Sequence, residues 1–173
     1  DYGFHWYLWQ KDGTHDYRYP DYFPSQPGFK EAIATVQKAG VHVMPYFNVE
    51  LFDTMTAMWT EEKADAWASR DSHGDLYRVV WDNDRKMVNM CPATRYWQDK
   101  MVACGARLVR EYGAGAVYLD ELHVYPYLCY AGNHLHSTLG GTHFVDGYRE
   151  IIRRIRAESG RKDLVVTGEA CSD

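Results

Sequence analysis

The chain has 173 residues and a formal net charge of −5 at pH 7. This length fits one domain with a buried core, and no apolar run is long enough to span a bilayer. Because Lys and Arg are scattered and the balance is mildly acidic, we expect neither nucleic acid nor a membrane as a partner.

The first elements predict a βαβ unit. Residues 4–9 form an aromatic strand, and residues 29–39 form a helix, because apolar residues recur there at helical spacing and Gly40 can cap it. Residues 41–48 form a second strand. Strand, helix, glycine and strand in this order indicate two parallel strands.

The middle of the chain predicts two helices and a hairpin. Residues 60–68 form a short helix, and residues 94–112 form a long one. Residues 76–81 and 86–90 flank an Asp-Asn-Asp turn, which is typical of a β-hairpin. We interpret the hairpin as an insertion on the functional face.

The last third of the chain repeats the pattern of strand and helix. A short strand over residues 115–119 ends in two acids, and a last strand over residues 164–169 ends in another. A helix over residues 144–158 lies between them. The long segment 123–143, rich in His, Tyr and Gly, is expected to be functional because loops of this length usually are.

Four strands with helices between them predict an α/β fold, about four βα units of a partial (β/α)8 TIM barrel with a β-hairpin insertion. A doubly wound open sheet is the alternative, but no glycine-rich phosphate loop follows the first strand. Because the chain begins directly at a strand and ends just past another, we expect residues 1–173 to be a single, incomplete barrel domain. Its remaining half would lie elsewhere in a longer chain.

Polar side chains stand at three predicted strand ends. Asn48, Asp120 and Glu169 would meet at one rim, since parallel strands end on the same side of a sheet. Two neighbouring carboxyls suit glycoside hydrolysis, in which one attacks or stabilises the anomeric carbon and the other protonates the leaving oxygen. A separation of about 5–5.5 Å predicts retention, and about 6.5–9.5 Å predicts inversion.

Two alternatives stay open at this rim. The acids could simply hydrogen-bond at the starts of loops, and Glu121 is a rival to Asp120. Alternation along a strand puts Asp120 on the face of Tyr118, which favours Asp120, but a slip of one residue would invert the choice.

The sequence carries no recognisable metal motif. The loop histidines at 123, 134, 136 and 143 match none of the compact metal-binding spacings, and the four cysteines form neither a CxxC pair nor a zinc pattern. We therefore expect no metal and no cofactor. Buried free thiols are the favoured state of the cysteines, with a disulfide left open.

Several motifs are spread along the chain: HWYLW (5–9), YPDYFP (19–24), VMPYFN (43–48), MCP (90–92) with WQ (97–98), VYLD (117–120) and LGGTH (139–143). Together they resemble a bacterial domain family of unknown function that is regarded as a glycoside-hydrolase-like TIM barrel. The match runs nearly end to end.

More remotely, the chain is similar to the α-amylase and endo-α-N-acetylgalactosaminidase barrels. Those place an Asp nucleophile after strand four and a Glu acid/base after strand five. The resemblance implies these roles for Asp120 and Glu169, and it makes the four strands barrel strands two to five.

These observations predict a retaining glycosidase with a carbohydrate substrate, Asp120 as nucleophile and Glu169 as acid/base. Abundant Tyr and Trp could stack on sugar faces. The substrate-binding candidates are Tyr7, Trp9, Tyr46, Asn48, His123 and His143. The rival hypotheses are a non-catalytic carbohydrate-binding or degenerate barrel, and a metal-dependent hydrolase that uses the loop histidines. The sequence specifies no compartment.

Overall fold

The computed structural model describes residues 19–79, 86–122, 124 and 126–169, and the backbone of residues 2–5. This part of the chain contains both strands and helices. The strands are β1 (Tyr2–His5), β2 (His42–Asn48), β3 (Leu51–Asp53), β4 (Arg78–Val79), β5 (Met87–Asn89), β6 (Ala116–Asp120) and β7 (Val165–Gly168). The helices are α1 (Phe29–Lys38), α2 (Ala57–Glu61), α3 (Arg95–Arg110) and α4 (His143–Ser159), with a 3-10 helix at Ala64–Trp67.

The larger sheet is parallel and has the order β1-β2-β6-β7. Its register sets Asn48 opposite Asp120 and Leu119 opposite Gly168. The carboxyl ends of β2, β6 and β7 therefore lie at one edge, which is where parallel α/β sheets carry their chemistry. The predicted α/β class with a parallel sheet is confirmed.

A smaller antiparallel sheet with the order β3-β5-β4 lies in the middle of the chain. The antiparallel pairing of β4 with β5 confirms the predicted hairpin pairing, although β4 covers only two residues and the turn lies outside the described residues. The sequence analysis missed β3. This strand is only three residues long and has no periodicity of its own to detect.

The predicted helix over residues 60–68 is wrong. α2 ends at Glu61, and Lys63 has a left-handed φ of 53° before the 3-10 helix begins. A left-handed residue cannot continue a right-handed helix, so the segment breaks there. The other three helices lie within one or two residues of their predicted bounds, the usual uncertainty at helix ends.

Helices α3 and α4 pack on each other beside the parallel sheet. A methyl group at Gly105 would meet Ile155 at 2.8 Å, and one at Gly147 would meet the backbone oxygen of Pro92 at 2.4 Å. Trp97 on α3 is fully buried and donates its indole N–H to the carbonyl of Val49 at 2.7 Å. These contacts tie α3 and α4 to the loops at the carboxyl edge of the sheet. Among the described helices, none has the length and apolar character needed to cross a membrane.

Candidate active site and a cysteine-histidine cluster

The carboxyl of Asp120 lies buried at the end of β6 and accepts hydrogen bonds from β2. Asp120 is 4% exposed. Its Oδ2 atom accepts a short hydrogen bond from the hydroxyl of Tyr46, and a second from Nδ2 of Asn48 at 2.8 Å. Both donors stabilise the ionised carboxylate, because hydrogen bonds to the charged form favour that form.

The orientation of Asn48 is fixed by the loop that follows β2. Its Oδ1 accepts the backbone N–H groups of Glu50 at 2.9 Å and Leu51 at 2.7 Å. The amide nitrogen must then face the carboxyls, where it contacts both Asp120 and Glu121. Asn48 therefore links the conformation of the loop to the position of the acids.

Glu121 lies on the same side as Asp120, which the alternation argument did not predict. Its φ of 57° is in the left-handed region, which a non-glycine residue adopts only when the surroundings impose it. This turn ends the strand alternation and directs Glu121 towards Asn48. Burial, together with the neighbouring charges of Asp120 and Glu169, raises the pKa of Glu121 to about 7.

Glu169 meets Asp120 at the edge of the sheet. The two carboxyls lie within hydrogen-bonding reach of each other, although Glu169 itself is largely exposed. The pKa of Asp120 is raised to about 7, because burial and the contact with Glu169 outweigh the opposing hydrogen bonds from Tyr46 and Asn48. A second carboxyl so close disfavours the ionised form of Asp120, because like charges repel at short range.

Glu50 is a fourth acid near this site. It is 1% exposed, and Nδ2 of Asn89 donates a short hydrogen bond to its Oε1. Its Oε2 has no hydrogen-bond partner among the described residues. Burial raises the pKa of Glu50 to about 9, with Glu121 adding to the rise, so Glu50 is protonated at neutral pH. The apolar neighbours Val49 and Leu51 were the signal in the sequence that could have indicated the burial of Glu50.

The aromatic residues around β2 form an inner wall of the site. The hydroxyl of Tyr46 lies 3.0 Å from that of Tyr19, and its ring stacks on Tyr118 with centroids 6.0 Å apart. Tyr22 brackets the end of β2, donating to the carbonyl of Asn48 at 3.0 Å and accepting its N–H at 2.8 Å. Tyr46 and Asn48 are both fully buried. They hydrogen-bond to the carboxyl of Asp120 and offer no open surface on which a sugar could stack.

Of the four remaining predicted substrate-binding residues, His143 lies in the described part of the chain. Tyr7, Trp9 and His123 lie outside the described residues. His143, at the start of α4, stacks face to face on His136 with centroids 4.0 Å apart. This places His143 beside a cluster of cysteines and histidines.

That cluster consists of Cys91, Cys129, His134 and His136, hereafter the Cys-His cluster. One ligand atom from each residue lies within 4.8 Å of the other three. The expectation of no metal was based on spacing along the chain. The fold brings Cys91 next to three residues that lie at least 38 positions later and close to one another in sequence. Cys91, Cys104 and Cys129 are free and buried, as expected.

A family model described as a domain of unknown function, DUF6259, matches residues 1–173. The chain belongs to this family. Two curated proteins are similar to it. One, named "Putative glycoside hydrolase", from Bacteroides thetaiotaomicron, is 31% identical over 96% of this chain. The other, "Putative glycoside hydrolase 22789" from Monosiga brevicollis, is 27% identical over 94%. The chain spans 25% and 15% of their lengths.

Solved glycosidases share the fold of this DUF6259 chain. An α-N-acetylgalactosaminidase from Bifidobacterium bifidum aligns with 97% of the chain at a TM-score of 0.76 and 15% identity, over 26% of its own length. The α-galactosidase of Thermus thermophilus in complex with stachyose aligns with 92% at a TM-score of 0.56 and 18% identity, over 31% of its own length. At these identities the likeness concerns the fold.

Proposed function

We propose that this DUF6259 chain forms the catalytic part of a retaining glycoside hydrolase, with Asp120 as nucleophile and Glu169 as acid/base. The observation that carries the proposal is the pair of carboxyls in contact at the ends of neighbouring parallel strands. The names of its relatives and the glycosidase fold of its structural neighbours support the same reaction class.

The hydrogen bonds at the site favour this division of roles. Tyr46 and Asn48 both donate to Asp120, so negative charge is stabilised there and the carboxylate is available to attack the anomeric carbon. In this mechanism Glu169 donates the proton to the leaving glycosidic oxygen. After departure of the aglycone, Glu169 takes a proton from the water that hydrolyses the glycosyl-Asp120 ester, which regenerates the starting state.

The closeness of the carboxyls favours retention over inversion. An inverting enzyme needs about 6.5–9.5 Å between its carboxyls to hold a water molecule between the base and the sugar. Side chains within hydrogen-bonding reach leave no such room. A sugar that enters between them would separate them towards the spacing of about 5–5.5 Å found in retaining enzymes.

The parallel order β1-β2-β6-β7 also supports a half-barrel, with the remaining βα units supplied by the rest of a longer chain. Within a closed barrel the four strands would occupy positions two to five, and the long segment between β6 and α4 would cover the mouth of the site. The substrate would be a carbohydrate, and its nearest contacts would come from the carboxyl edge of the sheet.

Substitution of each carboxyl in the intact protein tests the proposal. On activated aryl glycosides, Glu169→Gln should lower turnover by about 10²–10⁴-fold, the usual contribution of general acid/base catalysis. Asp120→Asn should remove turnover to a comparable or greater extent. Asp163→Asn, on an exposed turn before β7, is the matched control and should leave turnover unchanged.

Rescue with azide separates the two roles. In Asp120→Gly, azide can replace the missing nucleophile and should give a glycosyl azide of inverted configuration. In Glu169→Ala, azide should intercept the covalent intermediate and give the retained configuration. If ligand binding is the only activity and neither substitution affects it, the protein is a carbohydrate-binding module and the hydrolase proposal fails.

A further inference from the structure

We infer that Cys91, Cys129, His134 and His136 bind a single Zn²⁺ ion in a closed tetrahedral Cys2His2 site. The site would be structural, because four protein ligands leave no open position for water or substrate. Two thiolates and two imidazoles form a ligand set that Zn²⁺ favours. The inference is independent of the proposed glycosidase activity, since it concerns different residues.

The distances within the Cys-His cluster fit this ion. Sγ of Cys91 lies 3.4 Å from Nε2 of His136, and Sγ of Cys129 lies 3.3 Å from Nδ1 of His134. In a tetrahedral site with ordinary Zn–S and Zn–N bonds, sulfur and nitrogen ligands are about 3.5 Å apart. These two pairs therefore have nearly the separation that the metal requires, and all four ligand atoms lie within 4.8 Å of one another.

The second nitrogen of each imidazole is held by a backbone carbonyl. Nε2 of His134 lies 2.8 Å from the oxygen of Ala66, and Nδ1 of His136 lies 3.0 Å from that of Ser137. Each of these nitrogens must carry the proton in order to donate, which leaves Nδ1 of His134 and Nε2 of His136 with free lone pairs. Those are the nitrogens that face the cysteines, and this outer hydrogen bond is typical of metal-bound histidine.

Backbone amides prepare the sulfurs for the thiolate form. The N–H groups of Ala93 and Thr94 point at Cys91, and those of Ala131 and Arg70 point at Cys129. N–H donors stabilise negative charge on sulfur, which is the form that binds metal.

The burial of the Cys-His cluster favours an ion whose coordination positions are all filled by protein ligands. Cys91, Cys129 and His134 are at most 3% exposed. His134 also stacks on Trp67, with centroids 6.2 Å apart. A solvated surface cluster would not exclude water in this way, whereas a structural zinc site does.

The zinc ion would fasten the segment that follows the catalytic strand. Cys91 lies between β5 and α3, whereas the other three ligands lie between β6 and α4. The segment also donates from the N–H of Tyr130 to the carbonyl of Arg70 at 2.8 Å, and its Leu128 carbonyl accepts from Tyr77 at 2.9 Å. The described residues of this irregular segment have few backbone hydrogen bonds with one another, so a metal cross-link would add to its order.

Metal content of the intact protein, purified under reducing conditions, tests the site. We expect one equivalent of zinc per chain. Cys91→Ala and His136→Ala should each lower the zinc content by about tenfold or more. Cys104→Ala removes another buried free cysteine that lies outside the cluster, so it is the matched control and should keep its zinc.

Titration of the metal-free wild-type protein with Co²⁺ makes the test independent of whether the variants fold. Co²⁺ should saturate at one equivalent and give the visible bands of tetrahedral cobalt together with near-ultraviolet thiolate charge-transfer bands, and Zn²⁺ should remove both. Failure of the reduced wild-type protein to bind either ion near stoichiometrically would overturn the inference. So would full zinc content in Cys91→Ala, or a disulfide between Cys91 and Cys129 in thiol titration of the native protein.

Discussion

Replacing Glu50 with Gln is expected to weaken the dependence of stability on pH. Glu50 is 1% exposed, and its pKa rises from 4.5 to about 9 in the folded chain. Between these values the folded protein keeps a proton that the unfolded chain releases. The contribution of Glu50 to stability is therefore fully present below about pH 4.5, and it is lost as the pH rises towards 9.

The size of the effect follows from the width of that window. Each pH unit inside it lowers the free energy of unfolding by about 1.4 kcal/mol. From about pH 5.5 to about pH 8 the loss is about 3 kcal/mol, or about 6–12 °C in melting temperature for a domain of this size. Gln cannot ionise, so Glu50→Gln should lack this part of the slope, while Asp120 and Glu121 contribute to both proteins.

Urea unfolding of the intact protein at a series of pH values measures the difference. Any constant effect of the amide group shifts the Glu50→Gln curve without changing its slope. Glu111→Gln, which breaks an exposed pair with Arg107, is the control and should change stability by less than about 1 kcal/mol at every pH. Parallel curves for the wild type and Glu50→Gln would refute a buried, protonated Glu50.

Two further substitutions probe the site and its support. Tyr46→Phe removes a donor that stabilises the carboxylate of Asp120, so the acid limb of the kcat/KM profile should move to higher pH by about one unit; an unmoved limb would contradict this role. Gly147→Ala forces a methyl group against the backbone of Pro92 and should destabilise the protein by about 1–3 kcal/mol in thermal unfolding. Gly132→Ala is the control, because a methyl group at Gly132 would meet no atom within 4 Å. An equal loss of stability in Gly132→Ala would contradict the packing explanation.

The parts of the fold that sequence reasoning predicts are those with a local signal. Periodic apolar residues and a capping glycine locate α1, and the same signals locate α3 and α4. The meeting of Asp120 with Glu169 follows from strand order, because every strand of a parallel sheet ends at the same edge. The roles of these two acids stay proposals.

The remaining features depend on tertiary contacts that have no local signature. The left-handed turn at Glu121 reverses the alternation expected of a strand, and the left-handed Lys63 divides a helix. Burial of Glu50 depends on β3 and β5, which pair across the loop. The Cys-His cluster joins Cys91 to residues of a segment far along the chain, so no spacing rule could reveal it.

The contact between Tyr19 and Tyr46 extends the influence of Asp120 beyond the sheet. Tyr19 accepts the N–H of Asp53 at its carbonyl at 2.8 Å, while its hydroxyl meets Tyr46, which in turn donates to the acid. A shift of Tyr19 would therefore alter the pKa of Asp120. By reciprocity, protonation of Asp120 would weaken the contact that holds Tyr19. The pKa of Asp120 is therefore coupled to the position of Tyr19.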